Sequence, residues 1–321
     1  MRVCVCVVCV CVCVRRVCSA CVFGVCVRRV CVLESVATTI HTLTVCLMPP
    51  RRVQVATGGV DKSVLVFDRE AGKLSSTLKG HTKRVSGVSF IPGSENLLSC
   101  AHDKTVKLWK KSGDSYSQAA SFSPHAAEVT DITVHPTGQY VVSTSLDKTW
   151  SFSDIDSGRV FTTSAASDVG GTLECAAFHP DGVIFGTGTG ANLVRIWDTK
   201  TCKMAATFEG HAGVVNSVVF SENGYHMASA SDDKTVRVWD LRKLAVLKSF
   251  DVGAAAHSVS FDPSGKYLAA GAGDVKVYNV KGGVELASFD GHSKSVTGVR
   301  FGPAAKYIAS ASLDRCLKFY A

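Results

Sequence analysis

Residues 211–240 read HAGVVNSVVFSENGYHMASASDDKTVRVWD. Three short runs within it, VNSVVF, HMASA and TVRVW, are rich in β-branched, aromatic and small residues. Runs of about four to eight such residues, bounded by turn formers, read as strands. SENG separates the first two and DDK the last two, and both groups favour tight turns. Nothing in the stretch has a helical period. A histidine opens the unit and Trp239-Asp240 closes it, with 28 residues from His211 to Trp239.

The same unit recurs along the chain. HTKRVSGVSFIPGSENLLSCAHDKTVKLW runs from His81 to Trp109, and HSKSVTGVRFGPAAKYIASASLDRCLKFY from His292 to Tyr320. Degenerate copies begin at His125 and end at Trp197 and Tyr278, and a seventh, at the front, ends at Phe67. The closing positions 67, 109, 153, 197, 239, 278 and 320 lie 39 to 44 residues apart. Gly-His stands at 80–81, 210–211 and 291–292, and Trp-Asp at 197–198 and 239–240. A period of about 40–45 residues with those dipeptides at its ends marks four-stranded propeller blades. The outer strand of each blade is a run such as LSSTL or AATFE ahead of the next Gly-His. One blade cannot bury both faces of its sheet, whereas seven stacked in a ring can. The expected fold is all-β, a seven-bladed WD-repeat β-propeller. The chain stops at the third strand of the last blade, so the missing outer strand has to come from ahead of the first. LESVATTI, Leu33 to Ile40, is the segment expected to supply it. That divides the chain into residues 1–32 and a propeller over 33–321.

The front segment is unlike the rest. Residues 1–31 hold nine of the fourteen cysteines, most of them alternating with valine. Val3–Val14 is twelve apolar residues, short of the roughly 20 that span a bilayer as a helix. Cys6-Val-Val-Cys9 and Cys18-Ser-Ala-Cys21 have the spacing of zinc ligand pairs, but no polar residues surround them to orient a metal. Val-Cys-Val-Cys is what a GTGTGT repeat encodes, so the tract reads as a gene-model product and not as a domain. Cys100, Cys175, Cys202 and Cys316 stand singly in apolar runs and read as buried thiols. The formal charge of +8 is unevenly spread: residues 1–52 carry seven arginines and one glutamate, and the other 269 residues contribute only +2. A basic balance of that kind gives no warrant for nucleic-acid binding. Neither a membrane role nor a cofactor or metal is expected.

Three histidine, serine and aspartate sets recur: His81, Ser99 and Asp103; His211, Ser229 and Asp233; His292, Ser310 and Asp314. The composition is that of a hydrolase triad. Repetition argues instead for a structural network, each set covered by its blade's aromatic, Trp109, Trp239 or Tyr320. No catalytic residue is assigned. Gly186-Thr-Gly-Thr-Gly190 lacks the helix that a phosphate-binding loop needs, and reads as a flexible hairpin. Trp150 is out of place. Its blade reads Asp-Lys-Thr-Trp-Ser-Phe-Ser where sister blades keep valine after Thr and close on tryptophan, so Ser153 sits in the closing position.

Several stretches go beyond a generic propeller. They are TGGVDKSVLVFDRE at 57–70, TLKGHTKRVSGVSF at 77–90, TWSFSDIDSGRVFT at 149–162, FHPDGVIFGTGT at 178–189, FSENGYHMASASDD at 220–233, VWDLRKLAVLKSF at 238–250 and FGPAAKYIASASLDRCLKFY at the end. From about residue 40 onward the chain resembles the WD-repeat domain of the pre-mRNA-processing factor 19 family, U-box ubiquitin ligases of the spliceosome. The resemblance implies a nuclear protein-interaction scaffold that holds splicing proteins on its rim and in its central mouth, with roles in ubiquitination and DNA repair. In that family a U-box recruits the conjugating enzyme and a coiled coil forms a homotetramer. Residues 1–32 contain neither, so this chain alone is expected to be a monomer that transfers no ubiquitin. The other reading is an adaptor of signalling or trafficking without a ubiquitin link.

Overall fold

The computed structural model describes residues 52–164 and 170–321, and four strands ahead of them as backbone: β1 (Val5–Cys6), β2 (Cys9–Val10), β3 (Val30–Leu33) and β4 (Ile40–Met48). Blade one continues with β5 (Arg52–Gly59), β6 (Ser63–Asp68) and β7 (Lys73–Lys79). Blade two is β8 (Val85–Phe90), β9 (Leu97–Ala101), β10 (Val106–Ser112) and β11 (Ser115–Phe122). Blade three is β12 (Val129–Val134), β13 (Tyr140–Ser145), β14 (Trp150–Asp154) and β15 (Val160–Thr163). Blade four is β16 (Leu173–Phe178), β17 (Ile184–Thr189), β18 (Val194–Asp198) and β19 (Met204–Phe208). Blade five is β20 (Val215–Phe220), β21 (His226–Ser231), β22 (Thr235–Asp240) and β23 (Ala245–Asp251). Blade six is β24 (Ser258–Phe261), β25 (Tyr267–Gly271), β26 (Val275–Asn279) and β27 (Val284–Phe289). Blade seven is β28 (Val296–Phe301), β29 (Ile308–Ser312), β30 (Leu317–Tyr320) and, from the front of the chain, β3. Every pairing within a blade is antiparallel. The fold is an all-β propeller of seven blades.

Burial follows position in the blade. The second strands are buried almost throughout, as in Leu97–Ala101 and Ile308–Ser312, because a neighbouring blade covers each of their faces, and exposure is confined to first residues such as Tyr267. The outer strand Ala245–Asp251 buries only Phe250. The cores lie between blades: Val219, Phe250, Leu268 and Tyr278 join blades five and six, while Val55, Phe67, Tyr307 and Phe319 join the first blade to the last. Inner strands touch in cyclic order and β28 meets β4, so the ring is closed. Arg69 lies over the Tyr307 ring at 3.9 Å from its centroid and caps that closing seam.

Three expectations are corrected. The outer strand of blade seven is Val30–Leu33, not Leu33–Ile40. β30 offers four residues for pairing, and VCVL alternates β-branched residues to match them, whereas Ile40 already opens β4. The end of the Val-Cys tract is therefore part of the sheet. The Gly186–Gly190 stretch is mostly the buried strand β17. A Cβ on Gly186 would stand 3.2 Å from Phe220, and one on Gly188 2.6 Å from Cys175, so these glycines admit close neighbours in place of flexibility. Of the four isolated cysteines only Cys100 and Cys175 are buried; Cys202 and Cys316 are partly exposed. Cys18 and Cys21 and the side chains of Cys6 and Cys9 lie outside the described residues. Among the described residues no helix is long and apolar enough to cross a membrane.

Candidate functional site

Each histidine set is assembled by one blade. His81 lies in the turn from β7 to β8, Ser99 on β9 and Asp103 in the turn after it, and Trp109 on β10. His81 Nδ1–H donates to Asp103 Oδ2 at 2.9 Å. Ser99 Oγ lies 2.8 Å from His81 Nε2 and accepts from Trp109 Nε1–H at 2.8 Å. The turn completes the set, with the Thr82 N–H and the Thr105 hydroxyl also donating to Asp103 at 2.8 and 2.6 Å. Blade five repeats it: His211 to Asp233 at 2.8 Å, to Ser229 at 2.7 Å, and Trp239 to Ser229 at 2.8 Å. In blade seven His292 reaches Asp314 and Ser310 at 2.8 and 2.7 Å, while the buried Tyr320 hydroxyl makes no hydrogen bond of good geometry.

Burial lowers all three histidines below their ordinary pKa, outweighing the pull of the aspartates. The aspartates feel burial in the opposite sense. Hydrogen bonds from backbone and histidine, joined by a threonine hydroxyl at Asp103 and Asp233, overcome it and hold Asp103, Asp233 and Asp314 below the usual carboxylate range. Ser99, Ser229 and Ser310 are fully buried. No side-chain polar atom of the sets in blades two and five is buried without a hydrogen-bond partner.

A fourth set stands in blade three. His125 meets Asp147 at 3.1 Å and Ser143 at 2.8 Å. Its offsets of 18 and 22 residues are those of the other sets, so spacing alone signals it. The missing tryptophan at 153 hides it. Ser153 is fully buried against Ser151, and Trp150 turns its ring to blade four, 5.0 Å from Phe185 and 5.4 Å from Trp197. Trp150 Nε1 is buried without a partner.

The inner strands enclose a central cavity of about 380 Å³. In six of the seven inner strands a bulge follows the first residue, which turns residues such as Asp131 and Ser217 towards the axis. Among the described residues Asp131, Glu174, His257 and Arg300, with the thiol of Cys175, are its charged or titratable lining, and no residue pattern in the sequence marks them. Burial raises the Asp131 carboxyl to about 6, against N–H donors from Ala176 and Ile132 and the attraction of Arg300. Among the described residues no cluster of His, Cys, Asp and Glu could hold a metal.

Seven four-stranded blades, closed into a ring and strutted by His-Ser-Asp sets, define a WD-repeat propeller. The family model of the Prp19 WD40 domain matches residues 34–314, and the chain belongs to that family. It is 46% identical over 274 residues to pre-mRNA-processing factor 19 homolog 2 of Arabidopsis thaliana, covering 83% of this chain and 52% of that protein. It is 45% identical over 280 residues to pre-mRNA-processing factor 19 of Mus musculus, and 44% to that of Homo sapiens, covering in each case 87% of this chain and 55% of the relative. The chain therefore spans about half the length of the curated relatives it matches.

Proposed function

We propose that this chain is a protein-docking scaffold of nuclear pre-mRNA processing, holding splicing proteins on the rims and at the mouth of a rigid ring. Membership of the Prp19 WD40 family carries the reading. The geometry supports it: the blades are locked by internal polar sets, and the turns between strands are left as the variable surface. The histidine sets serve as struts and not as catalysts, since their serine hydroxyls are out of reach of any substrate. Exposed basic side chains are dispersed and several are neutralised, Lys83 by Glu128 at 3.3 Å and Lys110 by Asp156 at 2.8 Å. That favours protein over nucleic acid as the direct partner. The resemblance to U-box ubiquitin ligases adds that held partners are brought within reach of a ubiquitin-transfer module in the intact protein, and that DNA repair draws on the same recruitment. The ring's part in such chemistry is proximity.

Affinity capture from nuclear and cytosolic extracts tests the reading. The immobilised chain is expected to retain splicing proteins from the nuclear extract. Enrichment of cytosolic signalling or trafficking proteins, with no splicing protein retained, would replace it with the adaptor reading.

A further inference from the structure

Many polar side chains around the central cavity are already spent on the neighbouring blade. Ser86, Thr130 and Asn216 donate to the carbonyls of Val129, Leu173 and Ala256 at 2.6, 2.8 and 3.0 Å. Asp131, Thr133 and Ser258 accept from the N–H groups of Ala176, Phe178 and Val299 at 3.1, 3.2 and 3.1 Å. Arg300 is different. It is enclosed by the ring yet open to the water of the cavity, and no hydrogen bond or ion pair to it is found among the described residues. A guanidinium has five N–H donors in a planar fork that matches a carboxylate. The one acid that acts on it, Asp131, has its oxygens engaged by Ile132 and Ala176.

Position along the strands gives the cavity a direction. Glu174 is second in Leu173–Phe178 and Asp131 third in Val129–Val134, near the ends where the histidine turns enter. Arg300 is fifth in Val296–Phe301, next to the 3-10 turn Pro303–Ala305 on the opposite face. Acid thus lines one end of the cavity and base the other. The basic face also exposes apolar side chains, among them Val183, Met204, Tyr267 and Val284, at the ends of its turns.

We propose that Arg300 is the anchor of an anion subsite that takes the carboxylate of a partner peptide entering from the face of the Pro303–Ala305 turn. A cavity of about 380 Å³ admits a side chain or a chain end but no folded domain. A single guanidinium, with no second cation among the described lining residues, suits a monoanionic carboxylate better than a doubly charged phosphate. The inference rests on the reading of the ring as a protein-docking scaffold and names the chemistry of one dock.

Selection of a random heptapeptide library on the full chain tests it, followed by binding measured by fluorescence anisotropy against wild type, R300Q and R300K. Selected peptides are expected to share an aspartate or glutamate, or to need a free C-terminus; amidated and acid-to-amide versions tell the two sources apart. Affinity is expected to fall at least tenfold in R300Q and partly in R300K, with melting temperature unchanged. Peptides without an acidic group, or indifferent to R300Q, would overturn the subsite and leave Arg300 solvated by water only. If R300Q captures the same splicing proteins as wild type, the subsite falls while the scaffold reading stands. If wild type captures none, the scaffold reading itself falls.

Discussion

Trp239 and Trp150 are equally buried and unequally bonded. Trp239 Nε1–H donates to Ser229, which also serves His211, whereas Trp150 Nε1 has no partner. Replacing Trp239 by Phe removes a bond from a dry network; replacing Trp150 removes none. The first change is expected to cost about 1–2 kcal/mol more than the second in chemical denaturation, and equal costs would show that the network bond is idle. The histidines also set a pH dependence. Burial holds His81, His125, His211 and His292 below their ordinary 6.5, so on acidification the unfolded chain takes up protons first. Their contribution is present above pH 6.5 and is lost as pH falls below it. Asp103, Asp147, Asp233 and Asp314 add a second loss below their ordinary 3.8. Asp131 acts in the opposite direction: raised to about 6, it favours the folded state as pH falls through that value. Burial lowers His102 as well, and five histidines against one aspartate give a net fall, so the melting temperature is expected to be lower at pH 5 than at pH 7.5. A flat or rising profile would contradict the buried neutral sets.

At the scale of elements, the ring depends on a strand that is far away in sequence. β3 supplies the fourth strand of blade seven by pairing Val30–Leu33 with Leu317–Tyr320. Without it, β30 is left with an unpaired edge. A chain beginning at residue 30 is expected to melt like the full chain, and one beginning at residue 34 several degrees lower. Equal melting of the two would show that closure rests on side chains such as Arg69 over Tyr307 alone. The need for such a strand was legible, because the last repeat ends one strand short. Its place was not, because the composition of the Val-Cys tract masks a short alternating strand. The blades themselves were legible from the 39 to 44 residue period. The His125 set is hidden from a tryptophan signature because Ser153 closes its blade, although the 18 and 22 residue offsets mark it. Asp131 and Arg300 could not be read at all. They line one cavity only because blades three and seven face one another across a closed ring, which no local pattern encodes.

At the scale of the molecule, size and closure pull cooperativity in opposite directions. Chains well above about 150 residues often unfold in steps, and an open repeat array couples each unit only to its neighbours. A ring has no terminal unit to fray. Losing any blade opens two interfaces, such as those joining blade five to four through Trp239 and to six through Phe250. His211→Ala leaves Ser229 and Asp233 short of a partner in a buried setting, at a cost on the order of 1–3 kcal/mol. The four tryptophans report from successive blades, Trp109 from two, Trp150 from three, Trp197 from four and Trp239 from five. Single-tryptophan versions, with the other three changed to Phe, allow each blade to be followed by fluorescence during urea unfolding. In a closed cooperative ring, His211→Ala shifts the midpoint seen by the distant Trp109 as much as that seen by Trp239, and circular dichroism follows the same curve. A shift confined to Trp197 and Trp239 would mean that the blades unfold as neighbours in an open array, and that the seam between the first and last blades carries little of the stability.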